Sequence, residues 1–185
     1  MTGTNTPQIH PAQRLTAPDG TAVDIDTEIV PLVRALWALR LVTAASCQDF
    51  GEGTAGQREI NQRPPLKGGD AFIAYYTGYT WLKMPTPDAQ RLATILLDTE
   101  FRESITSRWE QGSWRMHVPL IFDESQGMIP ASTAQIHFPR EQVPRLTLAL
   151  ENMSHLRTTY LITLDEQTMF AHHPRALHRS ASDPS

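Results

Sequence analysis

Val42-Thr43-Ala44-Ala45-Ser46-Cys47-Gln48-Asp49 is a short apolar run that ends in four residues able to bind, titrate or attack. The β-branched pair Val42 and Thr43 favours a strand, and the residues before it have helical apolar spacing. Ile29, Leu32, Val33, Leu36 and Trp37 fall at i, i+3, i+4, i+7 and i+8, so they share one face of a helix that begins near Asp26 or Thr27. Pro31 is tolerated in the first turn, and Glu28 complements the positive end of the helix dipole. Arg40 stands where a helix-ending glycine is expected, so the stop rests on the switch to Val42 and Thr43. This order places Cys47 where a strand gives way to a loop.

Upstream, Met1 to Asp19 is rich in Thr, Pro and Gln without an apolar period, which predicts a disordered arm. Asp19-Gly20 reads as a turn into a short strand with Ala22, Val23 and Ile25. Downstream, Gly51, Gly53, Gly56, Pro64, Pro65, Gly68 and Gly69 predict a long mobile loop from Phe50 to Asp70. Ala71 to Tyr76 and Tyr79 to Lys83 read as one strand kinked at Gly78, or as two short strands. Thr86-Pro87-Asp88 opens a second amphipathic helix bearing Ala89, Leu92, Ala93, Leu96 and Leu97, whose stripe Phe101 and Ile105 continue. Trp114, Met116, Val118 and Leu120 alternate with Arg115, His117 and Pro119 in a half-buried strand, with Pro119 marking an edge or bulge. Ala134, Ile136 and Phe138 alternate with Thr133, Gln135 and His137 in the next one. Pro139 opens a third helix with Val143, Leu146 and Leu150, and a last strand is expected from Thr158 to Leu164. The fold class is α+β, a mostly antiparallel sheet with about three helices on one face. One domain spans Gly20 to Glu166, followed by a flexible tail from Gln167 to Ser185.

An apolar content of 40% in 185 residues is enough for one core. Sixteen Lys and Arg against 20 Asp and Glu give a net charge of -4, without the basic excess that phosphate-backbone binding requires, which argues against a nucleic-acid partner. One cysteine excludes an intrachain disulfide, and Met1 to His10 has no apolar core of the secretory kind, so a cytoplasmic protein is expected. Ile29 to Ala45 is broken by Arg34 and Arg40 and is too short to span a bilayer.

Cys47, flanked by Ser46, Gln48 and Asp49, has two readings. A thiolate at a loop edge acts as nucleophile or metal ligand when a neighbour lowers its pKa, whereas a lone cysteine is also a common small buried residue. No Cys-x-x-Cys, His-Glu-x-x-His, Gly-x-Ser-x-Gly or phosphate-loop pattern is present to decide. His117 and His137 sit in matching settings, His-Val-Pro and His-Phe-Pro, each out of phase with the apolar residues of its strand. If those strands pair, both imidazoles face away from the core and line a polar surface with Arg115 and Gln135. Such a surface can bind an anion or, with Cys47 or Asp49, a metal. Tyr75, Tyr76, Tyr79 and Trp81 form either a stacking platform or ordinary packing.

The stretch from Glu28 to Asp49 resembles a pattern in small uncharacterised proteins of actinobacteria and their phages, and Phe138-Pro139-Arg140 before a helix is similar too. That resemblance implies a source class and no reaction. A looser likeness, helix, strand and then Ser46-Cys47, is to wybutosine-type tRNA-modifying methyltransferases, with Gln48-Asp49 where that motif has Ser-Gly.

Two functions are therefore expected. In the first, a small binding or regulatory protein recognises a small molecule or protein partner through Ser46, Gln48, Asp49, Arg115, Gln135 and Tyr76. In the second, an enzyme uses Cys47 as nucleophile or metal ligand with His117 or His137 as base. The sequence names no cofactor, and a homodimer is compatible with either reading.

Overall fold

Asp19-Gly20 turns the chain, but the strand it closes starts earlier than the composition suggests. In the computed structural model, which describes residues 9–62, 68–106 and 112–155, Ala12–Thr16 (β1) pairs antiparallel with Ala22–Asp26 (β2), setting Leu15 opposite Val23. Gly20 takes φ 86°, and the Asp19 side chain accepts a hydrogen bond from Thr21 N–H at 2.9 Å. The expected disordered arm is thus corrected from Ala12 onward, because the symmetric hairpin supplies ladder partners to a segment with little apolar content. Thr27 then hydrogen-bonds back to the Pro11 carbonyl, and Val30–Ala38 forms the first helix (α1).

Helix α1 ends at Arg40 itself, left-handed with φ 59°, so the stop does not rest on Val42 and Thr43, which precede the next strand. Leu41 N–H donates to the Leu36 carbonyl and Arg40 N–H to that of Trp37, the paired bonds of a Schellman stop. Ile29, Leu32, Val33 and Leu36 are fully buried. Trp37 lies at the margin of that stripe, half-buried, and its indole N–H donates to Thr43 Oγ1 at 3.0 Å.

Ala45–Cys47 (β3) is the edge of a four-stranded antiparallel sheet ordered β3, Tyr79–Pro85 (β4), Thr133–Pro139 (β8), Arg115–His117 (β5). Strand pleating sends Leu82, Met84, Ala134, Ile136 and Phe138 to one face. There they join α1, the helix Thr86–Leu96 (α4) and the helix over residues 143–155 (α6) in one apolar core. Phe101 joins the core, but the expected continuation of α4 is a separate short helix, Arg102–Thr106 (α5).

Where the Gly-rich stretch is described, it is mostly helical rather than a loop. Phe50–Ile60 is a helix (α2), and Gly69–Tyr76, which takes in the strand expected from Ala71 to Tyr76, is another (α3). A Cβ on Gly51 would lie 2.4 Å from Thr77 N, one on Gly53 2.9 Å from Cys47 Sγ, and one on Gly56 2.8 Å from the Ile9 side chain. These glycines therefore permit close approach rather than flexibility. The described α+β body has six helices instead of three, and α2 meets the sheet on the face opposite the main core, with the Phe50 ring 5.2 Å from Trp81 and 4.8 Å from His137.

The alternating stretch from Trp114 to Leu120 splits at Pro119. Leu120–Asp123 (β6) and Gly127–Pro130 (β7) form a separate hairpin, leaving Leu120, Ile121, Phe122 and Met128 exposed. The expected strand from Thr158 to Leu164 and the tail from Gln167 lie outside the described residues. Among the described residues no helix is long and apolar enough to cross a membrane.

Candidate functional site

Strand β2 ends at Asp26, β3 ends at Cys47, and the chain just before β1 carries His10; the three meet beside the start of α2. His10 Nδ1 lies 3.1 Å from Asp26 Oδ2 and 3.7 Å from Cys47 Sγ. Their ligand atoms all fall within 4.8 Å of one another. Cys47 donates its S–H to the Asp49 carbonyl at 3.1 Å. Burial pushes its thiol up from 9.0 to about 12, with the Asp26 and Asp49 carboxylates adding to the rise against the hydrogen bond at the Asp49 backbone. Cys47 is therefore a protonated thiol near neutrality. The nearest imidazole turns the same nitrogen to both sulfur and carboxylate, whereas a relay needs one nitrogen for each. His10 Nε2 is 3.4 Å from Glu52 Oε2, too poorly aligned to count as a hydrogen bond.

The two residues after Cys47 are structural. Gln48 is buried; its N–H donates to Asp26 Oδ2 at 2.8 Å and its carbonyl accepts from the Thr80 hydroxyl at 3.1 Å. Asp49, 2% exposed, caps α2 by accepting from Glu52 N–H at 3.0 Å and also accepts from Gly78 N–H at 2.8 Å. The Arg140 guanidinium stands 3.7 Å from it and is held by the two hydrogen bonds it donates to the Glu28 carboxylate oxygens. Ser46 sits mid-strand opposite Leu82, half-buried. Of the expected ligand contacts, Gln48 and Asp49 are thus satisfied from within.

The polar sheet face exists, with a correction. Strands β5 and β8 pair antiparallel, with His117 opposite Gln135 and Arg115 opposite His137. The two imidazoles stack at 5.7 Å with planes 1° apart, as the shared phase required. His117 is exposed, but His137 is not a surface residue: it is 1% exposed beneath Phe50 and Tyr76. The sequence hid this because α2 and α3 were read as loop and strand. Burial, then the neighbouring His117 and Arg115, lower His137 from 6.5 to about 4. Burial, with Tyr79 alongside, raises the Tyr76 phenol. Arg115 lies over the Tyr75 ring at 4.5 Å. Trp81 Nε1 and His137 Nδ1 are buried and have no hydrogen-bond partner among the described residues.

Cys47 and the histidine pair are not one site. Cys47 is opposite Trp81 and Trp81 is opposite His137, which sets them two strand spacings, about 10 Å, apart. Neither His117 nor His137 stands where a base for Cys47 must be, and neither shares a metal with it. His10, Asp26, Glu52 and Arg140 were missed as site residues. The matching distance of Leu15 and Val23 from Asp19-Gly20 was the available signal for the hairpin that brings in His10 and Asp26. An open cleft of about 560 Å³ is lined by Glu28, Gly78, Tyr79, Gly112, Arg140 and Glu141 among others, and Cys47 does not line it. Compared with known protein families, curated proteins and solved structures, the chain matches none.

Proposed function

We propose that this is a small cytoplasmic binding or regulatory protein that recognises a small molecule or protein partner through the Cys47 segment and the His117–His137 sheet face. The observation that carries the reading is the state of Cys47. Its proton is held by the Asp49 carbonyl, burial disfavours the thiolate, and the imidazole that reaches it among the described residues, His10 at 3.7 Å, turns that same nitrogen to Asp26 at 3.1 Å. On the sheet face, Trp81 Nε1 and His137 Nδ1 are buried polar atoms that a ligand group can satisfy. The exposed hairpin, with Phe122 73% exposed, suits a protein partner.

Alkylation of metal-free native protein by iodoacetamide tests the choice between binding and thiol catalysis. Labelling of Cys47 is expected to be at least about tenfold slower than that of a model thiol, and to become fast on denaturation. Native labelling faster than the model thiol overturns the reading in favour of a nucleophilic enzyme.

A further inference from the structure

Three donors of different kinds converge from separate stretches of chain: an imidazole nitrogen before β1, a carboxylate at the end of β2 and a thiol at the end of β3. We propose that His10 Nδ1, Asp26 Oδ2 and Cys47 Sγ hold one zinc-class divalent cation, with a fourth position for water or a small ligand. This deepens the binding reading, on which it rests, by naming what the Cys47 segment takes.

The separations fit. Tetrahedral zinc with bonds of about 2.0 to 2.3 Å places its nitrogen, oxygen and sulfur donors about 3.3 to 3.6 Å apart. His10 Nδ1 is 3.1 Å from the carboxylate oxygen and 3.7 Å from the sulfur, each close to that range, and all three atoms lie within 4.8 Å of one another. A single nitrogen facing both a carboxylate and a sulfur carries one proton or one lone pair and serves only one of them. A cation between the three serves all.

The surroundings supply what such a site needs. A metal-bound imidazole ordinarily donates its other N–H to a carboxylate, and His10 Nε2, buried and without a hydrogen bond, is turned to Glu52 Oε2 at 3.4 Å. The Asp26 carboxylate is oriented by Gln48 N–H at 2.8 Å. Gly53, whose Cβ would stand 2.9 Å from the sulfur, leaves the space that Sγ occupies. Sulfur with imidazole selects zinc over magnesium or calcium. On binding, the S–H bond of Cys47 breaks, its proton leaves to solvent, and the sulfur lone pair bonds the metal; no oxidant or reductant is involved. One thiolate and one carboxylate then neutralise the dication, which makes burial of the group tolerable.

The test is titration of chelator-treated full-length protein with Zn2+ by calorimetry, and with Co2+ by absorption. Wild type is expected to bind one Zn2+ with micromolar or tighter affinity and to show a thiolate-to-cobalt charge-transfer band that is absent in Cys47→Ser. His10→Ala and Asp26→Asn should weaken binding by about 100-fold and Glu52→Gln by about tenfold, while His117→Ala leaves it unchanged. Far-UV circular dichroism checks folding, and the cobalt spectrum of wild type does not depend on any variant. Absence of both zinc heat and the cobalt band overturns the site, as does undiminished binding in folded His10→Ala and Asp26→Asn. If the metal test fails while native Cys47 still labels slowly, the binding reading stands without its metal. Fast labelling of metal-free protein removes that reading whatever zinc does.

Discussion

Acidification should destabilise this protein through His137 well before its carboxylates are protonated. The imidazole is buried between Phe50, Tyr76 and the stacked ring of His117, and burial, then His117, then Arg115, lower its pKa from 6.5 to about 4. Because the folded value lies below the unfolded one, the unfolded chain takes up the proton first. The stability contributed by neutral His137 is then fully present above pH 6.5 and is lost as pH falls towards 4. Linkage between those two values gives a loss of about 2 kcal/mol between pH 7 and pH 5. At a urea slope of about 2 kcal/mol per molar, that moves the unfolding midpoint down by about 1 M. Equilibrium urea unfolding followed by tryptophan fluorescence at half-unit pH steps measures it in wild type and in His137→Gln. The variant is less stable throughout, but its midpoint should fall by much less over the same range, since groups other than His137 are shared by both proteins. Parallel pH profiles for the two would refute the burial of His137 as the source.

Other perturbations separate backbone fit from side-chain packing. Gly51→Ala should destabilise by about 3 kcal/mol, although alanine is the better helix former by about 1, because its Cβ would meet the Thr77 backbone; a gain in thermal midpoint would show that α2 does not lie so close. Arg40→Gly should stabilise by about 0.5 to 1 kcal/mol by relieving the left-handed φ of 59° at the end of α1, readable in the same urea assay, and a loss there would count against the Schellman stop. Leu36→Ala should cost about 2 to 5 kcal/mol and Arg34→Ala well under 1, since Leu36 is fully buried and Arg34 exposed; equal losses would mean that α1 presents a different face. Arg140→Ala should cost about 1 to 3 kcal/mol by leaving the buried Asp49 without its nearby cation, with Arg140→Lys recovering part of that loss.

What the sequence disclosed was what periodicity reports. The apolar faces of α1 and α4, the strand at Tyr79 and the alternation in β8 follow from apolar spacing and backbone preference, as does the shared sheet face of His117 and His137 from their phase. Glycine misled the reading, because a residue that costs a helix about 1 kcal/mol looks like a loop signal until the partner that needs the space is known. Here those partners are Thr77 and Ile9, both distant in sequence from Gly51 and Gly56, and Cys47 just upstream of Gly53. The same long-range effect hid the burial of His137 and the approach of His10 to Cys47, whose separation of 37 residues is bridged by a hairpin of low apolar content. Side-chain chemistry at Cys47 was legible only as a list of abilities. Which of them the fold permits depends on burial and on a histidine from the other end of that gap.

The glycine-faced side of α2 also bears on how the molecule comes apart. A helix that touches its neighbours through long side chains can tilt and let them follow, whereas the glycines of α2 bring its backbone close to Ile9, Cys47 and Thr77. Displacing it opens gaps at the chain entry, at the sheet edge and at the turn before β4 together. Those three regions are therefore coupled into a single opening unit, with its own free energy beneath that of global unfolding. The segment carrying His10 belongs to that unit, despite the composition of a free end.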